Sequence, residues 1–420
     1  MAQSAQGSLE ELVARHTPGT SLEQPFYTDP AIFERELDTI VRSQWLFVEH
    51  VSSLPGKGDY VLYDIAGESI IVVRGRDGEI RAFFNVCRHR GSRICLAPRG
   101  NVRTLTCPYH AWVFDLEGKL IHAARMADDF DPGDWPLHAC RVRVWEGMIF
   151  INLADADDET ADFDQIEAAF ERYAKPYRLA DTKVIHQATY PTDANWKLAV
   201  ENFRECYHCA PAHPEYTMVN AYVNDGEREP EKRAALVADW VEEWEAKGVA
   251  ARDLRQWGDV MDLAQPYGVF RQPIREGSWT LSQDGQPVAP LMGDLKDWDK
   301  GETLLIVGPL FYIYLANDHA ALFRFTPVSE KHSEVVVTWL VRADAQEGRD
   351  YNTDKVIWMW DVTTIEDTKI INDNQLGVNS RRYSPGRYSE REYGTRSFIA
   401  WYIARMGGKT VIPTRPNVGP

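Results

Sequence analysis

A chain of 420 residues, 44% hydrophobic and 26% charged, is long enough for two or three domains of ~150 residues. That composition excludes a disordered tail, a collagen and a small disulfide-stapled scaffold. A formal net charge of −17 disfavours a nucleic-acid or anionic-membrane surface, since both are polyanions, and suits a cationic partner or ligand.

The N-terminal stretch MAQSAQGSLEELVARH lacks the apolar core of a signal peptide, which points to a cytoplasmic protein. Residues 26–45 read as a surface helix, with Ile32, Phe33, Leu37, Ile40, Val41 and Trp45 as its apolar stripe. From about 48 to 155 the texture is short strands: YVLYDIAG, SIIVVRG, IRAFFNVC, AWVFDLEGKLIHA and VRVWEGMIFINLA, with a hairpin turn at Arg76-Asp77-Gly78-Glu79. The acidic ADADDETADFDQ that follows reads as a linker.

Residues 161–175 look helical. Beyond them, strands (VIHQATY, TLLIVG, FYIYLA, ALFRFTPV, EVVVTWLV) mix with helices at 195–208, 234–247, 354–376 and 394–406. This pattern predicts one antiparallel sheet with helices packed against it. The longest uncharged apolar-rich run, Thr303 to Asn317, contains Gly308 and Pro309 and is shorter than the ~20 apolar residues of a membrane span. It reads as buried strand. Residues 225–300, rich in charge, Gly and Pro, read as loops near a site. Neither a dinucleotide-binding fingerprint nor a P-loop is present, for Gly56-Lys57-Gly58 lacks the third glycine and precedes a strand.

The six cysteines are Cys87, Cys95, Cys107, Cys140, Cys206 and Cys209. In a cytosolic chain of this length they point to metal ligation before disulfides. Cys87-Arg88-His89 and Cys107-Pro108-Tyr109-His110 each offer one thiolate and one imidazole. Zinc sites of the Cys₂His₂ type usually pair Cys with Cys and His with His. Two mixed pairs suit a Rieske [2Fe–2S] centre, whose imidazoles raise the potential to roughly −150 to +300 mV from about −400 mV in plant-type ferredoxins. Cys95, between the pairs, reads as a plain buried cysteine. Eight arginines from Arg74 to Arg103 reverse the local charge, either as a solvated rim or as a dock for an acidic electron donor.

A second constellation lies in NWKLAVENFRECYHCAPAH. A helix from Asn195 to His208 would place Asn202, Glu205 and His208 on one face, and Pro211 would end it. His213 could then turn back to meet His208. Two histidines and a distant carboxylate make the facial triad of non-haem Fe(II) sites. Asp361, Glu366 and Asp367 on a late helical pattern are the candidates, and spacing does not choose among them.

Together the Cys-x-His, Cys-x₂-His and Glu-x₂-His-x₄-His patterns resemble the Rieske non-haem iron oxygenase α subunits. The blocks PFYTDPAIF, VVRGRDGEIRAFFNVCRHRGSRIC, CPYHAWVFDLEGKL, NWKLAVENFRECYHCAPAHPE, NDHAALFR and GVNSRRYSPGRYS resemble that family's quaternary-ammonium branch. The resemblance implies an α+β chain: an N-terminal helical segment (1–47) packing with the catalytic domain, an all-β Rieske domain (48–160), and a helix-grip catalytic domain with a central antiparallel sheet (161–420). It implies cluster ligands Cys87, His89, Cys107 and His110, mononuclear Fe(II) ligands His208, His213 and Asp367, and Glu205 as the link between the two metal centres of neighbouring subunits in a homotrimer. The implied activity is O₂-dependent hydroxylation of an N-methyl group of a quaternary ammonium compound such as glycine betaine. A separate NAD(P)H-dependent flavin/iron–sulfur reductase would supply the electrons. A cation that cannot donate hydrogen bonds calls for aromatic faces and a carboxylate, and Trp279, Phe311, Tyr312, Tyr314 and Phe323 are the candidates. The rival functions are an aromatic-ring dioxygenase or O-demethylase of the same superfamily, and a non-catalytic Rieske electron carrier.

Overall fold

A computed structural model describes residues 7–155, 161–220, 230–251 and 267–408. Residues 156–160 of the acidic linker, part of the 225–300 segment, the first six residues and 409–420 lie outside these. The chain forms two units, Val41–Phe163 and Met1–Ile40 with Asp164–Pro420. The β unit begins ahead of residue 48, because Leu46–His50 is already a strand paired antiparallel with Met148–Asn152.

In the β unit, seven strands run in the order Leu46–His50, Met148–Asn152, Ala139–Trp145, Ile80–Phe84, Glu68–Arg74, Asp59–Ile65, Arg99–Asn101. Two hairpins close through two-residue turns with both central residues at positive φ, Ala66-Gly67 and Glu146-Gly147. This is the type I′ geometry that matches strand twist. A separate three-stranded sheet, Leu105–Thr106, Val113–Phe114 and Leu120–His122, flanks the second Cys/His loop.

In the other unit, a six-stranded antiparallel sheet runs in the order Thr182–Thr192, His332–Arg342, Ala320–Ser329, Phe311–Leu315, Gly301–Ile306, Gly268–Pro273. Pairing of Gln272 with Glu302, Leu304 with Tyr314 and Tyr312 with Phe323 puts these side chains on one sheet face, since strand side chains alternate. The helix Thr353–Val378 buries Val356, Met359, Trp360, Thr363, Thr364, Asp367 and Ile371. That is a single i, i+3/i+4, i+7 stripe, so the face bearing Asp367 is turned inward.

Three expectations differ. Residues 26–45 are not one surface helix but Pro25–Thr28, Pro30–Glu36 and a wide turn Leu37–Val41. Each proline starts a new helix, and Asp29 caps the second by accepting the Ala31 N–H at 2.8 Å. Its apolar side is buried and carries Glu36 in with it, which accepts from Lys197 Nζ at 2.6 Å, from Trp196 Nε1 at 2.8 Å and from the Tyr402 hydroxyl. The helix expected from Asn195 to His208 stops at Asn202, and short helices Cys209–Ala212 and Pro214–Val219 follow. Finally, the 225–300 segment contains a helix, Pro230–Ala246, and an edge strand, Gly268–Pro273, so it is not loop throughout.

Candidate functional site

The two Cys/His loops of the β unit repeat one backbone pattern. Cys87 N–H donates to Ser92 O (2.9 Å) while Gly91 N–H returns to Cys87 O (3.0 Å); Cys107 N–H donates to Trp112 O (2.8 Å) while Ala111 N–H returns to Cys107 O (3.0 Å). Gly91 and Ala111, at matching places, have φ of 77° and 57°. The thiols of Cys87 and Cys107 are buried and free of any disulfide. Burial first, and then the Cys107 thiol, pushes the Cys87 pKa up. The imidazoles of His89 and His110 stand at the exposed rim with their Nδ1 atoms 3.2 Å apart. Two ligands ~2.0–2.1 Å from one tetrahedral ion lie roughly 3.3 Å from each other, so these donors fit the histidine end of a [2Fe–2S] cluster.

Trp112 stacks on His89 with centroids 4.9 Å apart. Buried Asn85 pins the first loop. Its Oδ1 accepts the N–H groups of Ile94 (2.8 Å) and Cys95 (2.9 Å), and its Nδ2 donates to Cys95 O (2.8 Å) and Ser69 Oγ (3.2 Å). Cys95 is an inert buried thiol pushed up to about 11, first by burial. Asn85→Leu would leave two buried N–H groups unpaired, at ~1–3 kcal/mol each. We expect the variant to lose most acid-labile sulfide and visible absorbance, and a full sulfide complement would show that the loop does not depend on Asn85. The arginine cluster is partly used internally: Arg74 donates to Gly78 O (2.7 Å), Arg81 pairs with Asp77 (2.7 Å) and Arg88 lies 5.6 Å from the Trp135 ring centroid.

The second site is built on the break after Asn202. The Glu205 carboxylate accepts the N–H groups of Tyr207 and His208, a local side-chain bond that competes with continuing the helix. The C-terminal helix, Tyr393–Arg405, presses on the same turn: a Cβ on Gly394 would lie 2.3 Å from the Arg204 carbonyl oxygen.

Asp367 Oδ1 lies 3.2 Å from His208 Nε2 and 3.1 Å from His213 Nε2. Behind the rings, Glu205 Oε1 takes His208 Nδ1 at 2.6 Å and Glu366 Oε2 takes His213 Nδ1 at 2.8 Å. Two imidazoles with their Nε2 atoms converging on one carboxylate, each held from behind by another carboxylate, form the arrangement of metal-ligating histidines. Of the three late acids, Asp367 alone reaches both rings; Asp361 accepts from the Tyr190 hydroxyl at 2.5 Å instead. The donor set fits a ferrous ion with open positions.

Burial works to lower the His208 pKa, but its hydrogen bonds to Asp367 and Glu205 outweigh it and raise it to about 10. His213 is raised against burial by Asp367 and Glu366. Burial would raise Asp367, and the two imidazoles hold it low. Metal ligation needs neutral rings, so ion uptake must expel the His208 proton. Ferrous-ion affinity should therefore climb at least ~tenfold per pH unit from pH 6.5 to 8, more where His213 is protonated too, read by chelator competition. A flat profile would mean that the rings are already neutral. In the metal-free protein the sign reverses: the stability from a raised His208 is complete below ~6.5, its unfolded value, and is lost as pH rises through about 10.

Cys206 and Cys209 form a disulfide, Cα atoms 4.9 Å apart, rather than adding metal ligands as expected. The turn after Asn202 brings the C-x₂-C pair within bridging distance.

The aromatic candidates divide. Tyr314 and Phe323 have ring centroids 5.2 Å apart, and Trp360, which sequence reasoning missed, lies 4.1 Å from Tyr314 and 5.5 Å from Phe323. Tyr216, also missed, lies 5.8 Å from Trp360. Tyr312 shares that sheet face, with its hydroxyl accepting from Arg204 Nε at 2.8 Å. Phe311 belongs to the opposite face, as its pairing with Arg324 dictates. Trp279 packs on Lys300 and Trp298. Trp360 precedes Asp367 by seven residues on one helix, a spacing that would have placed it on the same face.

No described helix is long and apolar enough to cross a membrane. Two family models match the chain: the Rieske [2Fe-2S] domain over residues 44–141 and the ring hydroxylating alpha subunit (catalytic domain) over residues 179–408. The chain is 38% identical to the glycine betaine monooxygenase oxygenase subunit of Chromohalobacter salexigens, over 96% of its own length and 89% of that protein's. Its identity to the Pseudomonas aeruginosa subunit of the same name is 36%, over 92% and 89%. The fold is similar to that of a solved quaternary ammonium Rieske monooxygenase, with TM-score 0.72 and 24% identity, covering 94% of this chain and 98% of that one.

Proposed function

The chain belongs to the Rieske-type ring-hydroxylating oxygenase α subunits, and on that footing we propose that it is a terminal oxygenase acting on an N-methyl carbon of a quaternary ammonium compound, glycine betaine or one like it. The observation that carries this is two ligand sets of different chemistry in one chain, joined to 36–38% identity over nearly its whole length with glycine betaine monooxygenase subunits. An electron carrier needs only the first set.

Hydroxylation converts R–N⁺(CH₃)₃, O₂, two electrons and two protons into a carbinolamine and water. The carbinolamine then collapses to formaldehyde, the demethylated amine and a proton. When bound, the mononuclear iron supplies O₂ activation and the [2Fe–2S] cluster supplies electrons one at a time. The chain's own residues hold and orient. Cys87, Cys107, His89 and His110 grip the cluster, with the two imidazoles toward solvent where a donor can approach. His208, His213 and Asp367 grip the iron, while Glu366 and Glu205 fix the tautomer of each imidazole. Tyr314, Phe323 and Trp360 line the sheet side and keep water from the reacting carbon.

Glu205, whose side chain is 11% exposed, is assigned a second role as the hydrogen-bonded link from His208 to a cluster histidine of a neighbouring subunit in a homotrimer. With no nicotinamide or flavin fingerprint in the chain, electrons come from NAD(P)H through a separate flavin/iron–sulfur reductase, which puts the reaction in the cytoplasm.

The test is formaldehyde release with a matching reductase. Release from glycine betaine or related trimethylammonium compounds, and none from methoxylated aromatic acids, is expected. Ring oxidation of aromatic acids with no attack on betaines would move the chain to the aromatic-ring dioxygenases.

A further inference from the structure

Beside the aromatic wall stands an acid that neither metal set uses. Glu302 lies in the strand Gly301–Ile306 and is 1% exposed. Its Oε1 accepts from the Tyr216 hydroxyl at 2.6 Å, from Asn220 Nδ2 at 2.7 Å and from Gln272 Nε2. Its Oε2 is equally buried and has no hydrogen-bond partner. Among the described residues no Lys or Arg makes an ion pair with Glu302. Arg271, next along the neighbouring strand from Gln272, belongs to the other face of the sheet and is paired with Asp299 at 2.7 Å. Burial pushes Glu302 up to about 7 against the pull of its three donors and the weaker pull of the Arg271 charge across the sheet. A buried carboxylate with one idle oxygen and no ion-pair partner is an unfinished arrangement.

Rings surround it. Tyr216, which holds Oε1, is followed by Trp360, Tyr314 and Phe323 in a continuous run of ring contacts at 5.8, 4.1 and 5.2 Å. The Tyr314 phenol feels the charges of both Glu302 and Asp367. This ring is therefore near enough to both the acid and the carboxylate of the iron site to sense each.

We propose that Glu302 is the counter-anion, and Tyr216, Tyr314 and Trp360 the cage, for the substrate's trialkylammonium head. This rests on the substrate class proposed above and adds the residues that select it. A trialkylammonium has charge but no N–H, so it gains from ring faces and from an anionic oxygen that offers no donor. A primary ammonium would need an acceptor for each of its three N–H groups, and the idle Oε2 is one. A neutral ligand of the same shape gains nothing from the acid.

The experiment is calorimetric titration of the iron-loaded holoprotein with glycine betaine and choline, and with their carbon isosteres, 3,3-dimethylbutanoate and 3,3-dimethylbutanol. The wild type should favour each cation over its isostere by ~10–100-fold. Glu302→Gln should cut that ratio about tenfold or more while leaving isostere binding in place, an effect that loosened packing would not produce. Should Glu302→Gln fail to fold, Trp360→Leu, with the acid intact, must lower the same ratio. An undiminished ratio in either variant overturns the cage but leaves the substrate class standing. A wild type that binds no quaternary cation overturns both.

Discussion

Asp367→Ala should yield a folded protein with about two irons per chain instead of about three, an unchanged Rieske electron paramagnetic signal after reduction, and product formation at background. Both imidazoles turn their Nε2 to this carboxylate, at 3.1 and 3.2 Å. Without it the site keeps two neutral donors and loses its one charge on the ion, and a two-imidazole site does not hold Fe(II) in the three-ligand geometry that leaves faces open for O₂. The cluster survives because its four ligands lie in the Val41–Phe163 unit, with its own core of Ile71, Val73, Phe83, Trp112 and Phe114. Glu366→Ala should be milder, with ~10–100-fold weaker iron binding, since it removes only the hydrogen bond behind His213. Asp361→Ala should keep all three irons, because that carboxylate is engaged by Tyr190. If Asp361→Ala empties the site and Asp367→Ala does not, the ligand set is wrong.

Glu205→Gln should separate metal binding from electron transfer. The amide keeps the side chain's length and one acceptor oxygen, so both metals should remain. The carboxylate now uses Oε1 for His208 Nδ1 and Oε2 for the N–H groups of Tyr207 and His208, and a single amide oxygen cannot do both. The charge-assisted hydrogen bond to His208 goes with the charge. The cluster should still be reduced by the reductase at a normal rate, while re-oxidation coupled to product falls by ~10–100-fold or more. A helix-capping role alone predicts near-normal turnover and at most ~1 kcal/mol of lost stability.

How much of this could be read from the sequence follows from how local each feature is. The Cys/His pairs and the Glu205–His208–His213 cluster sit within short stretches, so spacing exposed them. Asp367 is some 150 residues away and could be chosen only by resemblance, until the inward stripe of its helix singled it out from Asp361 and Glu366. The break after Asn202 was invisible to periodicity, because a Glu205 side chain bonding its own backbone leaves no hydrophobic signature. The cage needed strand register. Phe311 and Tyr312 are neighbours in sequence but belong to opposite faces, and Glu302 meets Tyr216 and Tyr314 only once the sheet is assembled.

The most direct measurement is a single turnover. Protein with its cluster pre-reduced is mixed with O₂ and glycine betaine labelled in one N-methyl carbon, with no reductase present. The reduced-cluster signal should be lost in step with the appearance of labelled formaldehyde and dimethylglycine, and Asp367→Ala should give neither product. Cluster re-oxidation with no product from glycine betaine or other trimethylammonium compounds would contradict the proposed N-methyl hydroxylation.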